Sequence, residues 1–394
     1  MALVFLSFLV EGFSLADETS IFLVNQDLSL VTQRKIVNLV KGINWITFGP
    51  ISEGAIVESI YPHIKGCQLL EQRFTSPSTV VWKVKSNLDG KEDLDVSYLT
   101  RGITWKINYQ MKLDAEGKSI CLSSFLTVEN KKGESWMSAE LCFGEPIEFK
   151  QKEEEEPLAE KKVENKKEVE EVDIDTGEVK VECQSNIVVK KAEEQFIYNL
   201  KTPVDLLRND KKTFLLFYIP EIPVERVYLF DGEKYGDEVR QELSFVNPLS
   251  KSSNFCFPQG TLYIYQDTPG GERIYLGKGE LNQLFPGQKT WIYLGSARGI
   301  TGYRVQTFYK EIELTPVEKK AYGKDIAREY EYRLIFSNMR SFPIKIKVIE
   351  HFYGLWEILY SEPVNYERKE DKIIYYLDVP ANSKRKIRYR VKII

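Results

Sequence analysis

Lys386-Ile387-Arg388-Tyr389-Arg390-Val391-Lys392-Ile393 alternates a cation with an apolar residue. Successive side chains of an extended strand point to opposite faces, so this stretch reads as a strand with one wet, cationic face and one oily face. The same period runs through Tyr330, Tyr332, Leu334 and Phe336 set between Glu329, Glu331 and Arg333. It also runs through Ile344, Ile346 and Val348 set between Lys345 and Lys347. Working back along the chain, short runs rich in Val, Ile, Tyr and Phe recur at 21–24, 43–48, 80–84, 103–107, 213–218, 262–265 and 291–294, with turn residues between them. Such spacing is the pattern of β-sandwiches and barrels. The expected class is therefore all-β, with two or three sandwich or barrel modules, the last of them (307–394) an immunoglobulin-like sandwich.

The chain has 394 residues, 43% of them hydrophobic, enough for two or three cores. A net charge of -4 gives no general attraction to nucleic acid. The run Leu3 to Leu15 is apolar and ends in Ser14-Leu15-Ala16, which predicts a signal peptide over 1–16 and an exported chain, periplasmic or at the cell surface. No later run reaches membrane-spanning length. An N-terminal β domain is expected over 17–148 and a middle one over 172–306. Between them, 149–171 is dominated by Lys and Glu and predicts a solvated linker or loop. Residues 172–181 read as a small hairpin about Thr176-Gly177.

The five cysteines, Cys67, Cys121, Cys142, Cys183 and Cys256, form no close pair of the zinc-knuckle kind. If 119–128 and 135–144 make a hairpin, the register that keeps their apolar faces together sets Cys121 across from Cys142. That makes the two a candidate disulfide, with two free thiols as the alternative.

Chemistry-bearing motifs are sparse. The only histidines are His63 and His351. His63 lies near Cys67 but lacks a second ligand pair, and His351 reads as a surface strand residue. Gly295-Ser296-Ala297-Arg298-Gly299 places its serine one position away from a nucleophile elbow, and Gly277-Lys278-Gly279-Glu280 lacks the end of a phosphate loop. Asp267 and Glu272 flank a turn and are a weak candidate for a glycosidase pair. No cofactor is implied.

Three segments in order resemble a known family. They are 21–31; Tyr98-Leu99-Thr100-Arg101-Gly102-Ile103-Thr104-Trp105 with the strand ending Val128-Glu129-Asn130; and Phe257-Pro258-Gln259-Gly260-Thr261-Leu262-Tyr263 with Tyr275-Leu276-Gly277. Trp356-Glu357-Ile358 and Val379-Pro380-Ala381-Asn382 also fit. The chain resembles the bacterial exported family called domain of unknown function 4139, with mucoidy-inhibitor-like relatives. The resemblance implies export, β structure and a charged insertion in mid-chain, and it supplies no catalytic residues.

Two features are candidates for a ligand or partner surface. Phe352, Tyr353, Trp356 and Tyr360 would stack on sugar rings or a partner if exposed, although a sandwich core also needs large aromatics. Lys345, Lys347, Arg388 and Arg390 line cationic strand faces. Like charges opposite one another repel, so either Glu329 and Glu331 interleave, which is the expectation, or the face meets an anionic surface. The functional expectation is an exported cell-envelope protein with a non-catalytic structural or adhesive role, its partner a protein or polysaccharide of the envelope. The alternative is an enzyme or binding module acting on envelope polysaccharide.

Overall fold

The computed structural model describes residues 18–25, 27–76, 78–132, 134–144, 182–192, 195–250 and 255–394. The expected leader, the charged segment at 149–171 and the hairpin about Thr176-Gly177 lie outside the described residues. Extended chain dominates. Helical turns among the described residues are Val57–Ser59, Gly232–Tyr235 and Pro316–Tyr322, the last opened by a capping box between Thr315 and Glu318.

Two large sheets share the larger core. One runs in the order Ile187–Ala192, Gln195–Leu200, Trp136–Gly144, Glu18–Asn25, Leu28–Leu39, Gly90–Thr100 and Tyr61–Ile64, with Val204–Leu206 also paired to Trp136–Gly144. The other runs Gln184–Ser185, Lys211–Pro223, Ser119–Asn130, Ile103–Leu113, Gly260–Asp267 and Arg273–Leu281. Leu23, Leu141, Phe143 and Tyr198 from the first meet Tyr109, Leu122, Leu126 and Phe217 from the second in one buried cluster. A three-stranded sheet, Gly42–Phe48, Thr79–Ser86 and Cys67–Ser76, adds Phe48, Val80 and Trp82 to that cluster.

The smaller core lies between two further sheets. One is Lys289–Ser296, Val239–Val246, Glu225–Asp231, Ile344–His351, Lys372–Val379 and Glu367–Arg368; the other is Ile300–Glu313, Ile326–Asn338, Ser383–Ile393 and Trp356–Glu362. The alternation read from the sequence sends Leu334, Phe336, Ile387 and Tyr389 inward against Phe230, Ile346, Val348 and Tyr375. Strands from 225–296 therefore complete a sheet of the C-terminal sandwich. Val239 joins the smaller core while Leu243, Phe245 and Ile292 reach the larger one.

The class is all-β and sandwich-like, as expected. No described sheet closes into a barrel. The C-terminal sandwich does not follow a clear immunoglobulin order either: Glu225–Asp231 lies parallel beside Ile344–His351, and the last strand sits between Ile326–Asn338 and Trp356–Glu362.

The hairpin that would have joined Cys121 to Cys142 does not form. Ser119–Asn130 pairs with Ile103–Leu113 and Lys211–Pro223, while Trp136–Gly144 pairs with Glu18–Asn25, Gln195–Leu200 and Val204–Leu206. The two strands lie in different sheets that share a core. The alternation that turns Leu122 and Leu141 inward turns both cysteines outward, on opposite sides of the sandwich. Sheets pack about 10 Å apart, and a disulfide needs Cα atoms within about 7 Å. Both thiols are free.

The two sandwiches share a building plan. Arg101-Gly102-Ile103-Thr104 opens the first central hairpin and Arg298-Gly299-Ile300-Thr301 the second. Ile103 pairs with Asn130, and Ile300 with Asn338. Each asparagine is buried, and each ends a strand whose chain then crosses to the other sheet. Asn130 Nδ2 donates to the carbonyls of Glu134, Leu206 and Leu207; Asn338 Nδ2 donates to those of Phe342, Val379 and Pro380. The residue after each asparagine donates its N–H to the glycine carbonyl, Lys131 to Gly102 and Met339 to Gly299. Both glycines have positive φ, where a side chain is strained.

Candidate functional site

The outer face of the C-terminal four-stranded sheet carries the most organised set of polar and aromatic side chains. Because Tyr332 and Leu334 face the core, Glu329, Glu331 and Arg333 face outward. Cross-strand register then builds rows. Phe308, Glu331, Arg390 and Tyr360 lie abreast across all four strands, and Val305, Arg333, Arg388 and Glu362 lie abreast beside them.

Glu331 is the hub. Arg388 Nε donates to its Oε1 at 2.7 Å, Arg390 Nη2 to its Oε2 at 2.8 Å, and Thr307 Oγ1 to its Oε1 at 3.1 Å. The Arg390 guanidinium lies 4.5 Å from the Phe308 ring centre, and that of Arg388 lies 5.9 Å from Tyr360. Glu331 is only 4% exposed although it sits on the outer face. Neighbouring long side chains cover it, so it is shielded without lying in the core. The hydrogen bonds from Arg388, then Arg390, hold its carboxyl down at about 2. Arg333 and Lys386 add further positive charge to the same face.

The expected surface residues divide between faces. Arg388, Arg390 and Tyr360 come together here. Lys345 and Lys347 lie on the opposing sheet, where Lys345 is 3.9 Å from Asp378 and Lys347 lies 5.9 Å from the Trp291 ring centre. Phe352 and Trp356 are core residues, their rings 4.9 Å apart, with the Trp356 indole donating to the Glu370 carbonyl. Tyr353 is exposed and donates to Glu233.

Behind this face lies a cluster of buried ionisable groups. Glu350 occupies an inward position in line with Ile344, Ile346 and Val348 and is 2% exposed. From the opposite sheet, Arg304 Nε donates to it at 2.8 Å and the Tyr389 hydroxyl also donates. Arg304 stacks 3.7 Å over the Tyr332 ring. Burial pushes Glu350 above the usual carboxylate range, and Arg304 and Tyr389 oppose it. Burial also raises Tyr389, reinforced by the charge of Glu350. One residue on, His351 is not the surface residue expected: its side chain is only 7% exposed, and its Nε2 lies 2.9 Å from Asp231 Oδ2. That hydrogen bond raises His351. Burial acts to raise Asp231, but the bonds from His351 and from the Lys234 N–H outweigh it and leave Asp231 low. The Glu350, Arg304 and Tyr389 part of the cluster ties one sheet to the other.

Two clefts lie elsewhere, each at the opening strand of a central hairpin. One, about 290 Å³, is lined by Glu238, Ser296, Thr301 and Tyr303; the other, about 330 Å³, by Trp105, Lys106, Glu129 and Lys211. In the first, Glu238 accepts from Tyr293 Oη and Ser296 Oγ, which hold it low. Asp267, one of the weak glycosidase pair, is bound by Arg273 at 3.0 Å and lies 3.5 Å from Lys112. The Arg273 hydrogen bond leads in lowering it, the wrong direction for a general acid. Among the described residues no three His, Cys, Asp or Glu side chains are placed to hold a metal ion, and no helix is long and apolar enough to cross a membrane.

The buried cluster was not foreseen from sequence. Its one signal is Glu350, a carboxylate in phase with three inward apolar residues. No match was found among curated proteins. Residues 94–394 match the family model described as Domain of unknown function (DUF4139), and the chain belongs to that family.

Proposed function

We propose that this is an exported protein of the bacterial cell envelope with a non-catalytic, adhesive role, its outer C-terminal sheet face engaging an anionic surface of the envelope. Cleavage after Ala16 and display of the C-terminal β-sandwich are part of this reading. The observation that carries it is the row Phe308, Glu331, Arg390 and Tyr360. Two arginines share one carboxylate there and are held beside aromatic rings, with Arg333 and Lys386 adjacent. Pre-positioned guanidinium groups lose little freedom when they meet carboxylate or phosphate, and aromatic rings give sugar faces a place to stack.

The test is retention of the full chain on immobilised anionic and neutral polysaccharides. Retention on anionic polymers that weakens with salt, and is lost in Arg333→Glu with Lys386→Glu, supports the reading. Absence of retention on every polymer, or retention unchanged by those substitutions, overturns it.

A further inference from the structure

The three-stranded sheet ends in an unpaired edge. Cys67–Ser76 pairs only with Thr79–Ser86 among the described residues, and its other edge carries no strand. Residues 68–75 are exposed apart from the half-buried Gln72, whose Oε1 accepts from the Trp82 indole. Leu69, Leu70 and Phe74 are each more than 40% exposed. The ladder is irregular at Leu69/Glu71 and again at Phe74/Ser76, and regular from Glu71 to Phe74.

Edge strands are commonly guarded by a proline or by charges of one sign, which repel a like strand. This edge carries Glu71 and Arg73, opposite in sign and two residues apart, so both point to one face. Neither makes an ion pair among the described residues. We propose that this strand is a homodimerisation edge, pairing antiparallel with the same strand of a second copy about a two-fold axis at Gln72. In that register Glu71 of each copy lies across from Arg73 of the other, and Leu70 across from Phe74. A two-fold interface repeats each contact, so a sequence complementary to its own reverse is what such an edge requires. The other free edge of this sheet, Gly42–Phe48, offers no charges to match. Pairing with it would set Glu71 and Arg73 beside residues such as Ile43 and Trp45.

The test is sedimentation velocity of the full chain over a concentration series, with circular dichroism as the check on folding. The expected result is a concentration-dependent dimer. Glu71→Arg or Arg73→Glu alone makes both charge pairs repulsive and weakens the dimer by roughly tenfold or more; the double exchange restores it. Hydrogen exchange of the unaltered chain gives a second readout: amides of 70–74 gain protection as concentration rises. A monomer at every concentration, a dimer indifferent to the single exchanges, or a double exchange that fails to rescue overturns the proposal. Dimerisation without protection at 70–74 does so as well.

Discussion

Arg304→Leu is the sharpest test of how the C-terminal sandwich is held together. Glu350 is 2% exposed, and its cation comes from the opposing sheet at 2.8 Å, with the Arg304 side chain 32% exposed. Removing one partner of a buried pair leaves the other charge uncompensated, at a cost of about 3 kcal/mol. The figure belongs at the low end of the known range because water reaches part of the arginine. Glu350 already sits above its ordinary value through burial, and losing Arg304 drives it higher. A group raised in the folded state opposes folding once pH exceeds its unfolded value, and the opposition grows until the folded value is passed. The penalty of Arg304→Leu is therefore large at neutral pH and shrinks toward pH 4, where Glu350 is neutral. Arg304→Leu with Glu350→Leu removes both charges and recovers most of the loss, because the strands already alternate for an apolar core. Urea unfolding at several pH values, followed by tryptophan fluorescence, measures all three. A single-variant penalty below about 1 kcal/mol that is flat with pH refutes the reasoning, since surface pairs behave that way.

Other outcomes follow from the same geometry. Phe352→Ala and Trp356→Ala each cost about 3–5 kcal/mol in unfolding experiments as core truncations, whereas Tyr353→Ala leaves the unfolding midpoint unmoved. His351 is raised in the folded state by Asp231, so its contribution to stability is full below pH 6.5 and is lost as pH rises through the folded value. His351→Gln removes that decline in denaturation midpoints measured from pH 5 to 9. Glu331 is depressed to about 2, so its contribution is present above pH 4.5 and lost as pH falls toward 2; Glu331→Gln flattens the acid limb of the stability curve. Alkylation of the unfolded, unreduced protein labels both Cys121 and Cys142, which intact-mass measurement detects.

Much of the strand content was legible because one face of most strands is wet. Period two in Tyr330 to Phe336 and in Ile387 to Ile393 assigns both the strand and its inward face, and Glu331 between two arginines follows from cross-strand repulsion. Which strands pair was not legible. Leu122 and Leu141 both need a core, and alternation is met equally by neighbours in one sheet and by strands in two sheets sharing a core. The hairpin reading of Cys121 and Cys142 failed on that degeneracy. The aromatic group was ambiguous in the same way. Phe352 and Trp356 fall in the core while Tyr353 and Tyr360 are exposed: the chain between His351 and Trp356 leaves the strand period, and within Trp356–Glu362 an irregularity between Ile358 and Tyr360 shifts the alternation that would sort them. Glu350 broke the pattern of its strand, and a charge in an apolar phase implies a partner without naming it.

The shared plan of the two sandwiches explains where the charges gather. Counting from the isoleucines that follow Gly102 and Gly299, the inward position held by Ile107 in the first hairpin is held by Arg304 in the second. Both copies keep the same strand-end device: an asparagine holding three carbonyls and a glycine in a left-handed turn. Those are backbone requirements of a chain changing sheets, and no other side chain meets them as cheaply. The core positions are free to differ, and only the second copy spends one on a cation. That cation, with Glu350 and Tyr389, fixes the separation of the two C-terminal sheets at one end. Tyr389 belongs to the same strand as Arg388 and Arg390. Loosening the buried cluster would therefore move the strand that sets the outer arginines, which couples the rigidity of the exposed face to a charge pair behind it.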